Sequence, residues 1–221
     1  MNEFTSKIIA QKCQKMADAI ADIVPLDKAL YEAFVNIERE IFIPKGFKQQ
    51  AYKLDALPLS QDQWISSPLT VAKMTLALEI DKNTDSVLEI GCGSGYQAAI
   101  LSRLIRRVFT IERIEPLLLG AKICFKTLGI LNIHTRFDDG QKGWREFAPY
   151  DRILLSAAIK EVPEMLFEQL SDNGILVAPI EQNSQQLIVQ FIKKNSKIRI
   201  KTLEECLFVP IINGTSRGQI S

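Results

Sequence analysis

The run VLEIGCGSGY, residues 87–96, decides the fold. Its apolar start, SVLEI from Ser86, reads as a short buried strand that leads straight into Gly91, Gly93 and Gly95. The segment that begins at Tyr96, YQAAILSRLIRR, carries the apolar spacing of a helix. Glycines at such a strand-to-helix turn permit tight backbone geometry. They also let a ligand approach the main chain with no Cβ in the way.

Spacing narrows the ligand. The dinucleotide fingerprint is G-x-G-x-x-G, whereas here the third glycine comes one residue early, as G-x-G-x-G. That order favours the amino-acid end of S-adenosylmethionine over a pyrophosphate. A P-loop is excluded, because no Gly-Lys-Ser/Thr follows.

Working outward, strands and helices alternate. RVFTIE (107–112) reads as a second strand, and LLLGAKICFKTLG (117–129) as a helix ended by Gly129. NIHTRF (132–137) and YDRILLS (150–156) are further strands. VPEMLFEQL (162–170) is a short helix with Pro163 near its start, and GILVAPI (174–180) a fifth strand. QLIVQFIKK and the segment containing KIRIKTLEECLFVP read as a strand hairpin and a tail. Such alternation implies a Rossmann-like α/β fold with a mainly parallel sheet covered by helices on both faces. Right-handed crossovers then gather the strand carboxyl ends, and any ligand, along one edge.

Upstream, Ile8, Ile9, Met16, Ile20 and Ile23 recur at helical spacing, so the first 25 or so residues are expected to be a helix. Asp27 is placed to cap a second helix, and Ser67-Pro68 reads as cap and first residue of a third. Between Glu38 and Ser67 periodicity is weak, and a stretch of that kind inside a compact domain is often functional. One domain, 1–221, is therefore expected. It comprises N-terminal helices and a weakly periodic segment (1–67), a ligand-binding core (68–180), and a C-terminal β hairpin and tail (181–221).

Two further strand ends match the glycine loop. Glu112 closes the second strand, 21 residues after Gly91, where a carboxylate can accept hydrogen bonds from both ribose hydroxyls. An exposed charge paired with Arg113 is the plainer reading. At the end of the third strand stands FDDG (137–140), whose carboxylate could receive an adenine amino group while Gly140 leaves room for the ring. An ordinary Asx turn is the alternative there. Three strand ends in succession would each supply part of one nucleoside site.

Composition bounds the partners. The chain has 221 residues, 47% of them hydrophobic and 24% charged, enough for one well-packed domain. Lys and Arg total 27 against 26 Asp and Glu, which gives no field for a nucleic-acid backbone or an anionic membrane. Arg103, Arg106 and Arg107 are expected as a solvated helix end. Cys13, Cys92, Cys124 and Cys206 are widely spaced, and His134 is the one histidine, so no metal site is expected. No run reaches the ~20 apolar residues of a membrane span, and no signal-peptide cleavage site stands out. A cytoplasmic monomer is expected.

The residues carry a specific resemblance. VLEIGCGSGYQAAILSRL, IERIEPLLLGAKICFKTLG, DDGQKGW, APYDRILLSAA, VPEMLFEQLSDNGILVAPI and the late FVP resemble, in order and spacing, the protein-L-isoaspartate O-methyltransferases. AYKLDALPLSQDQWISSP resembles that family's substrate-side segment, and the likeness runs from about residue 30 to 212. What the resemblance implies is methylation of the α-carboxyl of L-isoaspartyl residues in damaged proteins and peptides. The ester then closes to a succinimide, whose hydrolysis returns some normal aspartate. It also implies a site. Ser66 supplies the hydroxyl at the catalytic centre, and Ile65, Val209 and Pro210 stand beside it on the substrate side. Glu89, Gly91, Cys92, Gly93, Ser94, Gly95, Glu112, Arg113, Asp139 and Gly140 form the cofactor side.

That chemistry suits sparse equipment. A carboxylate is already ionised near neutral pH, and the cofactor's sulfonium activates the methyl group, so no general base is required. A serine hydroxyl could orient the carboxylate without altering its charge. His134, inside a strand, is expected to be structural. The chain departs from the family pattern at Cys92, which stands where Thr is usual, and at Asp62, Trp64, Asp138 and Glu181. These four are expected at the surface. If Asp62 or Glu181 faced the cleft it would repel a carboxylate, and Trp64 could wall the cleft. A methyltransferase for another carboxylate or acceptor, a non-catalytic module that recognises modified peptides, and a nicotinamide-dependent dehydrogenase are the competing functions.

Overall fold

The computed structural model describes residues 3–218. Residues 1–2 of the expected first helix and 219–221 of the expected tail lie outside the described residues. The chain opens with α1 (Glu3–Ala21) and α2 (Lys28–Asn36). Asp27 caps α2 as anticipated, its Oδ1 accepting from the Leu30 amide at 2.8 Å. Two 3₁₀ turns, Arg39–Phe42 and Lys45–Gln50, then carry the chain to a two-residue antiparallel pair, β1 (Leu57–Pro58) and β2 (Trp64–Ile65). Ser67 caps α3 (Pro68–Ala77), with its Oγ 3.0 Å from the Thr70 amide.

The remaining elements are β3 (Ser86–Ile90), α4 (Tyr96–Leu101), β4 (Arg107–Glu112), α5 (Glu115–Thr127), β5 (Ile133–Phe137), β6 (Tyr150–Leu155), α6 (Glu164–Glu168), β7 (Leu170–Gln182), β8 (Gln185–Lys194) and β9 (Lys197–Glu205). They build a seven-stranded sheet in the order β5-β4-β3-β6-β7-β8-β9. The first five strands in that order are parallel, and β8 and β9 return antiparallel. The strand order reverses between β3 and β6, and there the carboxyl ends leave a crevice.

Strand alternation divides the apolar residues between two cores. Val87, Val108 and Leu154 pack under the N-terminal helices, α3, α4 and α5. Leu88, Ile90, Phe109, Ile153 and Leu155 face the other side. Helix cover is heavy on the first face only. The second is closed by α6, 3₁₀ turns and an aromatic group in which Phe109 meets His134, Trp144, Phe147 and Tyr150. His134 thus has a packing role, its ring stacked on Phe109 at 5.0 Å.

Two boundaries differ from expectation. α4 stops at Leu101, well short of Arg107. Ser102 Oγ donates back to the Ala99 carbonyl, and Asn132 Nδ2 donates to the carbonyls of Ser102 and Ile105, which satisfies the helix end from outside. Arg106 and Arg107, freed from the helix, both bind Asp85. β7 begins at Leu170, directly after α6, where the strand had been expected from Gly174.

Candidate active site

One cleft of about 990 Å³, part of it open to solvent, lies over the carboxyl ends of β3, β4 and β6. Its floor is the turn after β3, where Gly91, Cys92, Gly93 and Ser94 all face the opening. Close packing demands glycine at two positions around the cleft. At Gly95 φ is +89°, and a Cβ would stand 2.7 Å from the Phe125 ring. At Gly140 a Cβ would run into Ile90 Cγ2, so the residue serves close packing against β3 as well as leaving room above. Gly93 favours glycine by its backbone alone, with φ +54°, and the space where a Cβ would stand is open to 4 Å.

Glu112 sits where spacing placed it, at the end of β4, lining the cleft and only 4% exposed. Its hydrogen-bond partners are backbone amides, and the Arg113 side chain turns elsewhere. Oε2 accepts from the Gly93 amide at 2.8 Å and Oε1 from the Ile114 amide at 2.9 Å. Burial pushes its pKa up, and those amides pull it back. A carboxylate has about four acceptor sites, so it braces the glycine loop and still has capacity for ligand hydroxyls. Arg113 also lines the cleft, but its Nε donates to the Gly214 carbonyl at 2.9 Å.

Asp139 and Gly140 reach the same cleft. Asp139 is an Asx-type cap too, accepting from the Gln141 amide at 3.0 Å and the Gly214 amide at 2.8 Å. Asp138 turns aside to Arg136 at 2.6 Å. Glu89 does not line the cleft. It lies fully buried behind the loop, accepting from Thr110 Oγ1 at 2.6 Å and Ser156 Oγ at 3.2 Å. Burial is the main cause that lifts its pKa to about 8.

The opposite wall comes from β2 and the tail. Ile65 is buried, and Ser66 lines the cleft with no hydrogen-bond partner for its hydroxyl among the described residues. Its carbonyl accepts from Arg39 Nη2 at 2.9 Å. Val209 and Pro210 line the cleft because the tail returns over the strand ends. Ala158 donates to the Val209 carbonyl at 2.8 Å, and Ile211 to the Ala158 carbonyl at 2.7 Å. Trp64 is a cleft wall, 56% exposed, and lines the same cleft as Ser66. Asp62 is exposed in a turn outside the cleft, and Glu181 lines a neighbouring groove with Glu205.

Sequence reasoning overlooked Ser156, Phe208 and Arg39. Ser156 follows the last residue of β6 beside the reversal of strand order, a position the strand-end rule picks out. Phe208 adjoins the pair that was singled out and lines the same wall. Arg39 had no local motif to mark it.

The loop, the buried acid at the second strand end and the open space over Gly93 fit the amino-acid and ribose parts of S-adenosylmethionine. Comparison with known proteins agrees. Residues 11–216 match the family model described as Protein-L-isoaspartate(D-aspartate) O-methyltransferase. A Protein-L-isoaspartate O-methyltransferase of Helicobacter pylori is 56% identical over 200 residues, covering 90% of this chain and 95% of its own. Its counterpart in Maricaulis maris is 43% identical over 192 residues, covering 87% and 90%. A solved protein-L-isoaspartate O-methyltransferase matches with a TM-score of 0.84 at 28% identity, over 91% of this chain and 66% of its own. A Plasmodium falciparum structure solved with S-adenosyl-L-homocysteine shares the fold, with a TM-score of 0.80 at 22% identity over 90% and 97%.

Proposed function

The chain belongs to the protein-L-isoaspartate O-methyltransferase family and methylates L-isoaspartyl residues from S-adenosylmethionine, and on that premise we propose how its residues divide the work. The dehydrogenase and the non-catalytic module are thereby set aside.

On the cofactor side, Gly91, Cys92, Gly93, Ser94 and Gly95 form the cradle for the amino-acid end, with Arg113 at its rim. Glu112 accepts from the ribose hydroxyls with the lone pairs that Gly93 and Ile114 leave free. Asp139 and Gly140 border the adenine end. Glu89 serves from behind the loop, through Thr110 and Ser156. When bound, the cofactor supplies a methyl group already activated by its sulfonium. The protein's residues have then only to bind, orient and exclude water. Ser66 donates to the substrate α-carboxylate and turns one oxygen towards the methyl group. Ile65, Val209 and Pro210 hold the flanking peptide, with Trp64 as a wall.

The observation that carries this division is the hydroxyl of Ser66, without a hydrogen-bond partner among the described residues and in the same cleft as Glu112 and the glycine loop. Labelled methyl transfer should be measured to an isoaspartyl peptide and to its aspartyl twin. The isoaspartyl peptide alone should be labelled, and equal labelling of both would sink the assignment.

The same proposal extends to setting and assembly. The near-even balance of charge supports a polypeptide acceptor over a nucleic acid. No helix among the described residues is long and apolar enough to cross a membrane. Four cysteines read as thiols support a cytoplasmic setting. The chain acts as a monomer, with 1–67, 68–180 and 181–221 as parts of one catalytic unit.

A further inference from the structure

Arg39 is fully buried, yet it forms no ion pair with any described acidic side chain. Its guanidinium goes to backbone carbonyls instead. Nη1 donates to Ala51 at 2.7 Å, and Nη2 to Ser66 at 2.9 Å and more weakly to Asp55 at 3.4 Å. Nε has no partner. The guanidinium carbon lies over the Tyr96 ring, 5.3 Å from its centroid.

A buried, unpaired charge is costly, and a well-packed apolar side chain of similar volume often serves stability as well or better. What Arg39 touches suggests why a charge stands there. All three carbonyls belong to residues 51–66, the segment that presents Ile65 and Ser66. That segment has little regular structure of its own, only the two-residue pairing of Leu57 with Ile65 and Pro58 with Trp64. Tyr96 opens α4 immediately after Gly95. One side chain therefore contacts both the strand end that bears the free hydroxyl and the helix that follows the cofactor loop.

We propose that Arg39 is a positioning residue for methyl transfer, fixing the Ser66 backbone, and hence its hydroxyl, against the glycine loop through Tyr96. This rests on the reading of Ser66 as the group that orients the substrate carboxylate. Five donors in a rigid plane suit the task, because they hold several carbonyls at once where a lysine would hold fewer. A misplacement of about 1 Å at such a site lowers rate on the order of 100-fold.

The test is a double-mutant cycle of Arg39→Lys with Ser66→Ala. It reads kcat and KM for an isoaspartyl peptide and Kd for S-adenosylmethionine by calorimetry. Arg39→Lys should lower kcat roughly 10- to 100-fold. Its cofactor Kd should stay within about twofold of the parent, the scatter of uncoupled sites. In the Ser66→Ala background the same change should lower kcat by less than about threefold, since the group it positions is already gone. Equal fold losses in both backgrounds would assign Arg39 a general structural role and overturn the inference, as would an unchanged kcat in Arg39→Lys. Full turnover by Ser66→Ala alone would instead remove Ser66 from the mechanism, and Arg39 with it. Circular dichroism checks folding, and Arg39→Met, which keeps bulk without charge, carries the same cycle if the lysine variant does not fold.

Discussion

Glu112 shows how one carboxylate can serve fold and ligand together. Its oxygens tie the Gly93 amide to the end of β4 and reach the Ile114 amide beyond it. The loop is therefore held in its ligand-ready shape by the residue proposed to bind the ribose. Glu112→Ala should weaken S-adenosylmethionine by about 1.5–3 kcal/mol, roughly 10- to 150-fold in Kd, if charge-assisted bonds to the hydroxyls are lost. It should also lower the melting temperature of the ligand-free protein, because two amides lose their acceptor. Calorimetry and a melt without cofactor separate the two effects, and a loss of affinity with an unchanged melt would deny the bracing role. The position of Glu112 was legible from spacing alone, since a strand end 21 residues after Gly91 is a local matter. Its amide partners were not, because they exist only once the loop folds back over β4. Asp139 repeats the lesson, for the Asx turn and the cleft-lining position are both realised in one side chain.

At the scale of elements, what could be read in advance is what neighbours in sequence decide. Asp27 and Ser67 cap their helices as the residue types announce, and the glycine loop lies between β3 and α4 as its run implies. The early end of α4 could not be read, because it depends on Asn132 reaching across from beside β5. The β1–β2 pair and the return of the tail across Ala158 likewise rest on long-range backbone bonds that leave no periodicity behind. α3 is the element through which a local signal meets the site, since its cap follows Ser66 directly. Ser67→Ala should lower stability by about 0.5–2 kcal/mol, measured by urea denaturation, with Ser67→Asp retaining most of it. If alanine matched the parent, the 3.0 Å bond to Thr70 would be contributing nothing to the helix start.

For the whole molecule, the decisive feature is an acid in the middle of the central strand. Glu89 shares the face of Val87, between Leu88 and Ile90, so alternation on a fully buried strand places it in the interior and not in the cleft. Burial raises its pKa to about 8, and the Glu112 charge adds to that, while the Thr110 and Ser156 hydroxyls oppose it. The sign of the linkage follows. Below the ordinary glutamate value of about 4.3 the carboxyl is protonated in both folded and unfolded chains. Between there and pH 8 the unfolded chain releases its proton while the folded one keeps it, so stability falls as pH rises. Above that window both are ionised and this contribution is flat. Asp85 works in the opposite sense, because Arg106 and Arg107 depress its pKa, and its support is lost as pH falls into the acid range. Comparing parent with Glu89→Gln cancels Asp85, which both proteins carry. The amide can still accept from Thr110 and can donate to Ser156. The variant's stability advantage should therefore be small near pH 4, grow through the window, and level off above pH 8 at a few kcal/mol. Melts at matched pH values would show it, and a difference that stayed constant from pH 4 to 9 would mean that Glu89 titrates in the folded protein as it does in the unfolded chain.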